Sequence, residues 1–101
     1  AVHLLTDAPA QLFGLRGRGR IEVGAHADLV LFDPDTVGSA PATLARDLPG
    51  GSARMVAAST GIAHVFVSGV ETVSDGQATG SLPGGVLRSG RDTDTVTARS
   101  R

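Results

Sequence analysis

A run of four apolar residues, Leu29–Phe32, stands between Asp28 and Asp33 and limits what this chain can fold into. Four residues suit a strand, because a helix buried to the same degree would need about ten or more. An apolar run without polar alternation is typical of a strand covered on both faces. We therefore predict a buried strand over 29–32, with a layer of structure against each of its faces.

The residues before this strand alternate in polarity and then bend. Ile21, Glu22 and Val23 are apolar, polar and apolar in turn, which predicts a short strand at the edge of a sheet. The pair Gly24-Ala25 follows, and it predicts a bend that leads into the buried strand.

The composition allows one small hydrophobic core. Hydrophobic residues make up 41% of the 101 residues, but the chain has three Phe and neither Trp nor Tyr. A domain of this size buries only about 60 to 70% of its unfolded surface. The core is therefore expected to be thin, and the loss of a neighbouring domain would lower its stability directly.

The charge and cysteine content exclude several classes of function. Nine basic residues, all arginine, face ten acidic ones, and a net charge of −1 gives no indication of binding to nucleic acid or to an anionic membrane. Without cysteine the chain has no disulfide, thiolate nucleophile or Cys-based metal site. It also lacks an apolar run near 18 residues and a signal-peptide pattern. We expect a soluble protein, cytoplasmic by default and without a membrane partner.

Two short helices are predicted at the start of the chain. Residues 1–6 have Val2, Leu4 and Leu5 as apolar positions and are expected to be the last turn or two of a helix that starts upstream of this chain. In the second helix, Asp7 offers an acceptor side chain shortly before Pro9, and Gly14 supplies a stop. We predict that both helices pack their apolar side chains against other structure.

The middle of the chain has the weakest pattern. Residues 38–51 are rich in Ser, Ala, Pro and Gly, which predicts a surface loop with Leu44 and Leu48 as anchors. Residues 54–59 fit a short helix and an irregular strand equally well.

A hairpin over residues 62–75 is the clearest local prediction. Side chains alternate between two faces, and Ser68-Gly69 supplies a two-residue turn with glycine where a positive φ is needed. Asp75-Gly76 predicts a second turn of the same kind, after which residues 77–80 are expected to pair again.

The C-terminal part is predicted to lose regular structure. The tetrad LPGG occurs at 48–51 and again at 82–85, and since the flanking residues differ we interpret the two as similar turns rather than a repeat. Val86-Leu87 is expected to form one last strand. Charged residues, Ser and Thr dominate residues 89–101, which predicts a mobile tail.

Three histidines, His3, His26 and His64, are the candidate metal ligands. A zinc site needs three or four converging ligands, and the chain has no H-x-H or H-E-x-x-H spacing around any of them. We therefore expect that none of the three binds metal. No residue of this chain is predicted to be catalytic or to bind a cofactor.

One dense positive patch, LRGRGR at residues 15–20, has two interpretations. It could contact phosphate or RNA, or it could be a solvated turn between a helix and a strand. Phosphate loops run from strand to glycines to helix, and here the order is reversed. Binding of RNA by stacking needs interleaved aromatic residues, and only Phe13 is near. We predict the turn, and no nucleic-acid partner.

Two motifs resemble a known family. The pattern G-x-I-x-x-G-x-x-A-D-L-V-L-x-D, here Gly19 to Asp33, resembles the signature that follows the barrel in amidohydrolase-superfamily enzymes. Residues 61–73, followed by the Asp-Gly, Thr-Gly and Pro-Gly pairs and by residues 87–93, resemble the C-terminal end of N-acyl-D-amino-acid deacylases (D-aminoacylases). One departure is Ser68-Gly69, where the family pattern usually has Asn-Gly.

The resemblance implies a fold and an activity for a larger protein. A (β/α)₈ barrel takes roughly 250 residues, so the catalytic barrel is absent from this chain and would be its partner. The expected fold is mainly β with one or two short N-terminal helices (α+β), the C-terminal β-sandwich portion of a composite amidohydrolase. The implied reaction is hydrolysis of the amide of an N-acyl amino acid, with zinc held in the missing barrel and none bound here.

This interpretation divides the chain into three parts: residues 1–15 as linking helices from the end of the barrel, 16–88 as the β-domain portion and 89–101 as the tail. We expect the whole to support the barrel and to be inactive alone. The alternative is a stand-alone, non-catalytic β module that binds a partner.

Overall fold

The computed structural model describes residues 1–97 and contains mainly β-structure after two short helices. This confirms the predicted fold class. The elements are α1 (Val2–Leu5), α2 (Asp7–Phe13), β1 (Leu29–Phe32), β2 (Gly38–Ser39), β3 (Thr43–Ala45), β4 (Arg54–Val56), β5 (Ser59–Thr60), β6 (Ile62–Val67), β7 (Val70–Ser74) and β8 (Gln77–Ala78), with a 3-10 turn at Pro49–Gly51.

Helix α2 ends as predicted and begins differently. Gly14 follows the helix in the left-handed conformation with a φ of 68°, and its N–H donates to carbonyls of the last turn. The helix begins at Asp7 itself, with Thr6 in the capping position and no side-chain cap. The prediction of Asp7 as the capping acceptor is therefore wrong, because its carboxylate bonds to Arg20 instead.

A four-stranded antiparallel sheet in the order β1-β6-β7-β8 forms the centre of the fold. Ser68 and Gly69 join β6 to β7 with φ of 51° and 77°, as a two-residue turn with both residues at positive φ requires. Asp75 and Gly76 repeat this geometry between β7 and β8, with φ of 49° and 77°. Both predicted turns and the short third strand are confirmed.

The two faces of this sheet differ in chemistry. Residues directly opposite each other in an antiparallel pair share a face. Val30 pairs with Val65, Val65 with Val73 and Val73 with Ala78, so one face carries an apolar row. The other face is mixed, with His64 between Leu31 and Ser74 and with Phe66 between Leu29 and Glu71.

Strand β1 forms where predicted, but the prediction that it is covered on both faces is wrong. Its side chains are half exposed, at 53% for Val30, 49% for Leu31 and 44% for Phe32. The strand lies at the edge of the sheet, and residues 1–97 supply no second layer against these side chains. The apolar side chains of β1 are therefore not packed against a second layer formed by residues 1–97.

The segment predicted as a surface loop is a two-stranded arm (residues 38–60). Strand β2 pairs with β5 and β3 with β4, both antiparallel, so residues 54–56 are a strand rather than a helix. Leu44 and Leu48 are exposed and do not act as anchors. The strands of this arm could not be predicted from the sequence, because most of its side chains are small or polar. Its backbone pairing does not require alternating apolar residues.

Two further predicted strands do not form. Residues 21–23 have no strand geometry, and Ile21 and Val23 point into solvent. Val86-Leu87 likewise lies in irregular structure. Among the described residues neither segment has a neighbouring strand to bond with, and a lone extended segment leaves its backbone groups unpaired.

The two LPGG tetrads also adopt different structures. Residues 49–51 form the 3-10 turn, with Gly50 and Gly51 both at a φ of 74°, whereas residues 82–85 have no regular structure. They are therefore not similar turns. Of the tail predicted to be mobile, residues 98–101 lie outside the described residues, and the three-part division of the chain stays a prediction.

The described fold is open. Its accessible surface is 7755 Å², whereas a compact monomer of the same mass has roughly 5300 Å². The radius of gyration is 16.7 Å, against about 13 Å for a compact domain of this length. Within residues 1–97, Ala10 alone among the hydrophobic residues is buried. No helix within residues 1–97 has the length and hydropathy to cross a membrane.

Candidate functional site

Each arginine of residues 15–20, here called the arginine segment, pairs with an aspartate from a different part of the chain. Arg16 lies 3.7 Å from Asp94, Arg18 2.5 Å from Asp28 and Arg20 2.6 Å from Asp7. The positive patch is therefore neutralised by carboxylates, which supports its interpretation as a turn. The segment joins helix α2, the start of β1 and the C-terminal residues.

Arg20 attaches the segment to helix α2. Its Nε donates to Oδ1 of Asp7, and this bond is the main reason why the pKa of Asp7 lies below its usual range. Gly19 lies directly on the helix, since a Cβ there would come within 2.7 Å of the Thr6 carbonyl oxygen and 2.8 Å of the Ala10 Cβ. Glycine is therefore needed for this close approach.

Asp28 connects the segment to the sheet through both of its carboxylate oxygens. Oδ2 accepts from Arg18, and Oδ1 accepts the backbone N–H of Ser68 at 2.9 Å. The next turn residue, Gly69, donates its N–H to the carbonyl of Ala27 at 3.0 Å. The β6–β7 turn is thus seated on the residues that lead into β1.

Arg16 holds residues 86–97, here called the C-terminal strap. Besides its ion pair with Asp94, its guanidinium donates to the carbonyl of Arg91. The N–H of Asp94 donates to the carbonyl of Gly14 at 2.8 Å, and Leu15 forms an isolated β-bridge with Thr93. A Cβ on Gly14 would overlap the carbonyl oxygen of Asp94, so the strap passes where only glycine fits.

The strap has internal bonds of its own. Oδ2 of Asp92 accepts the backbone N–H of Arg88 at 2.8 Å and also pairs with the Arg91 guanidinium. The bond from Arg91 is the main cause that lowers the pKa of Asp92. These contacts fold residues 88–93 into a turn that presents Thr93 and Asp94 to the arginine segment.

The three histidines lie in different elements. His3 in α1 is 3.6 Å from Asp7, and the backbone of His26 bonds to Gly17 before β1. His64 in β6 has a richer setting: its Nδ1 is 2.6 Å from Glu71 and its Nε2 is 3.9 Å from Asp75.

This arrangement does not fit a metal site. The two carboxylates near His64 face opposite ring nitrogens and cannot converge with the imidazole on one ion. Within residues 1–97 no group of three or more His, Cys, Asp or Glu could hold a metal ion. The described polar side chains instead hold parts of the chain in position, because their ion pairs and hydrogen bonds join segments that are distant in sequence.

The sequence pattern did not indicate the aspartates as partners of the arginines. Asp7, Asp28 and Asp94 carry the network. Asp28 belongs to the Gly19–Asp33 motif and Asp7 was predicted to cap a helix, but none of the three was predicted to pair with an arginine. The available signal was the spacing of Arg16, Arg18 and Arg20, since glycines between them let each side chain point to a separate partner. Glu71 was missed because it lies on the strand opposite His64.

Comparisons with known proteins give the family. The chain is 41% identical over 88 residues to N-acyl-D-glutamate deacylase and 41% identical over 91 residues to N-acyl-D-aspartate deacylase, both from Alcaligenes xylosoxydans xylosoxydans. It is also 38% identical over 87 residues to D-aminoacylase of the same organism. These alignments cover 87%, 89% and 86% of this chain but 16% of each relative. No solved structure matches significantly. Residues 1–79 match the model of the Amidohydrolase family, and the chain therefore belongs to that family.

Proposed function

We propose that this chain is the C-terminal supporting β portion of a metal-dependent hydrolase that cleaves the amide of N-acyl-D-amino acids. The observation that carries the proposal is the match to three deacylases over more than four fifths of the chain. Because the chain spans about a sixth of those relatives, the activity would belong to the larger protein.

The catalytic groups are proposed to lie outside residues 1–97. The resemblance implies zinc in a barrel, and the described histidines and carboxylates do not fit a zinc site. No step of the hydrolysis is therefore assigned to this chain. The small-molecule partner, an N-acyl amino acid, would bind to the larger protein, and a cytoplasmic location stays a prediction.

The exposed surface supports a role against a partner domain. The chain exposes roughly 2,400 Å² more than a compact monomer of its mass would. Permanent interfaces bury roughly 1,000 to 2,500 Å² on each partner, so the excess is large enough for one such interface. Much of it is apolar: Leu5 is 79% exposed and Phe13 68%, and the side chains of β1 are half exposed. We infer that the helices and the apolar face of the sheet are covered in the complete protein.

The same surface argues against a stand-alone β module. A module that folds and works alone would be expected to bury its strongest apolar run, and here Val30 and Phe32 remain half exposed. The alternative would gain support if the purified chain were monomeric and bound no hydrophobic dye.

Activity of the purified chain tests this proposal. With N-acyl-D-glutamate as substrate and zinc added, we expect no turnover, because the described residues offer no converging ligand set. The contradicting result is zinc-dependent release of the amino acid that disappears on substitution of His3, His26 or His64 by alanine.

A further inference from the structure

We propose that the arginine segment is a positioning device that fixes helix α2 and the C-terminal strap relative to the four-stranded sheet. Asp28 is the residue through which the segment contacts the sheet, because it bonds to both Arg18 and the Ser68 N–H. This inference goes beyond the proposed function, because it concerns how the chain holds its own parts in place and its test uses no catalysis.

The first step concerns the backbone between the arginines. Gly17 and Gly19 both have positive φ, 66° and 81°, so the chain turns after Arg16 and again after Arg18. Arg16, Arg18 and Arg20 consequently reach three separate carboxylates rather than one. In a regular strand, alternate side chains would all point to the same face of the sheet and would not reach three separate partners.

The second step concerns Asp28. One of its oxygens holds Arg18 and the other holds the N–H of Ser68, forty residues away in sequence. The pair is among the better shielded of the ion pairs, with 23% of the Arg18 side chain and 34% of the Asp28 side chain exposed. Loss of the carboxylate would therefore release both the arginine segment and the turn of the β6–β7 hairpin.

The third step concerns the strap. Arg16 and Asp94 are more exposed than the other two ion pairs of the arginine segment, and isolated exposed ion pairs contribute little. The strap is held in addition by the Asp94 N–H and by the Leu15–Thr93 bridge. Arg16 contacts the strap and not the sheet, and it also donates to the Arg91 carbonyl, so its loss is expected to affect amides of the strap only. Arg18 and Asp28 make the contact with the sheet.

Amide hydrogen exchange measured by NMR on the full chain tests this division of roles. We expect Asp28→Ala to raise the exchange rate of the Ser68 N–H by about tenfold or more, which corresponds to about 1.4 kcal/mol. Asp28→Asn keeps an acceptor for Ser68 and loses the charge, so its effect on Ser68 should be smaller. Arg16→Gln should accelerate the Asp94 N–H and leave the Ser68 N–H unchanged.

Arg46→Gln is the matched control, because Arg46 has no ion pair within residues 1–97. The proposal is overturned if Arg16→Gln and Asp28→Ala leave all of these amides at the rates of the control. It is also overturned if both variants accelerate the same set of amides. Should Asp28→Ala fail to fold, Asp28→Asn and Arg16→Gln still decide, because they must affect different amides.

Discussion

The carboxylate of Asp28 accepts the backbone N–H of Ser68 at 2.9 Å, so the entry to β1 is bonded to the turn between β6 and β7. This contact gives a physical reason for an aspartate ahead of the apolar run. It also ties the Gly19–Asp33 motif to the hairpin motif, which are separated in sequence and adjacent in the fold.

The β6–β7 turn gives the first prediction. Gly69→Val should lower the free energy of unfolding by about 1 to 3 kcal/mol, because Gly69 has a φ of 77° and a β-branched residue is strained there. The nearest atom to a Cβ at this position is 3.9 Å away, so the cost would come from backbone strain rather than overlap. Ser68→Asn is the control, expected to be neutral or mildly stabilising since asparagine tolerates positive φ. A urea titration in which Gly69→Val matches the parent would contradict the turn geometry.

The seat of the C-terminal strap gives the second prediction. Gly14→Ala should destabilise the chain by more than about 1 kcal/mol, because it combines a positive φ with overlap of the Asp94 carbonyl. Gly80→Ala is the matched control, with a φ of 86° and no atom within 4 Å of the added carbon. We expect proteolysis after Arg91 to become faster in Gly14→Ala alone. Equal cleavage rates in the two variants would show that the strap is not held at Gly14.

The aspartates paired with arginine predict the pH dependence of stability. Hydrogen bonds from arginine lower the pKa of Asp7, Asp47 and Asp92, with donors Arg20, Arg54 and Arg91 respectively. A carboxyl group whose pKa is lowered by folding stabilises the folded state above its unfolded pKa, and this contribution is lost as the pH falls through the folded pKa.

We therefore expect the urea midpoint to be constant between about pH 7 and pH 5 and to fall below about pH 4. Asp47→Asn should lower the midpoint at pH 7 and reduce the loss on acidification. A midpoint that rises on acidification from pH 5 to pH 3 would contradict this sign.

The half-exposed strand gives the fourth prediction. Phe32→Ala removes a side chain that is 44% exposed. In the isolated chain it should therefore lower the free energy of unfolding by less than the about 3 to 5 kcal/mol typical of a closed core.

The isolated chain should also bind the dye ANS and self-associate through its uncovered apolar surface. A monomer that is silent to the dye and unfolds in one sharp transition would instead favour the stand-alone module.

Local chemistry made part of the fold predictable. The sequence predicted Gly14 as a helix stop and Gly69 and Gly76 as turn residues. All three have positive φ, a conformation that glycine adopts without steric cost. The strand Leu29–Phe32 followed from its composition. These features depend on a few neighbouring residues.

The remainder depends on partners distant in sequence. The arm of residues 38–60 is held by pairing between segments with little apolar pattern, so its sequence resembles a loop. The apolar run at β1 predicted a layer of structure over each of its faces. Whether such layers exist depends on other parts of the protein, which a local pattern does not reveal. Asp94 meets Arg16 only because Gly14 lets the strap approach, which no local pattern indicates.

A chimeric enzyme measures the central claim most directly. The segment of the Alcaligenes N-acyl-D-glutamate deacylase that aligns with this chain would be replaced by this chain. Hydrolysis of N-acyl-D-glutamate by this chimera would be compared with that by the same enzyme lacking the segment. We predict that the chimera is folded and active while the deletion variant is inactive or insoluble. A fully active deletion variant, or a folded but inactive chimera, would contradict the supporting role.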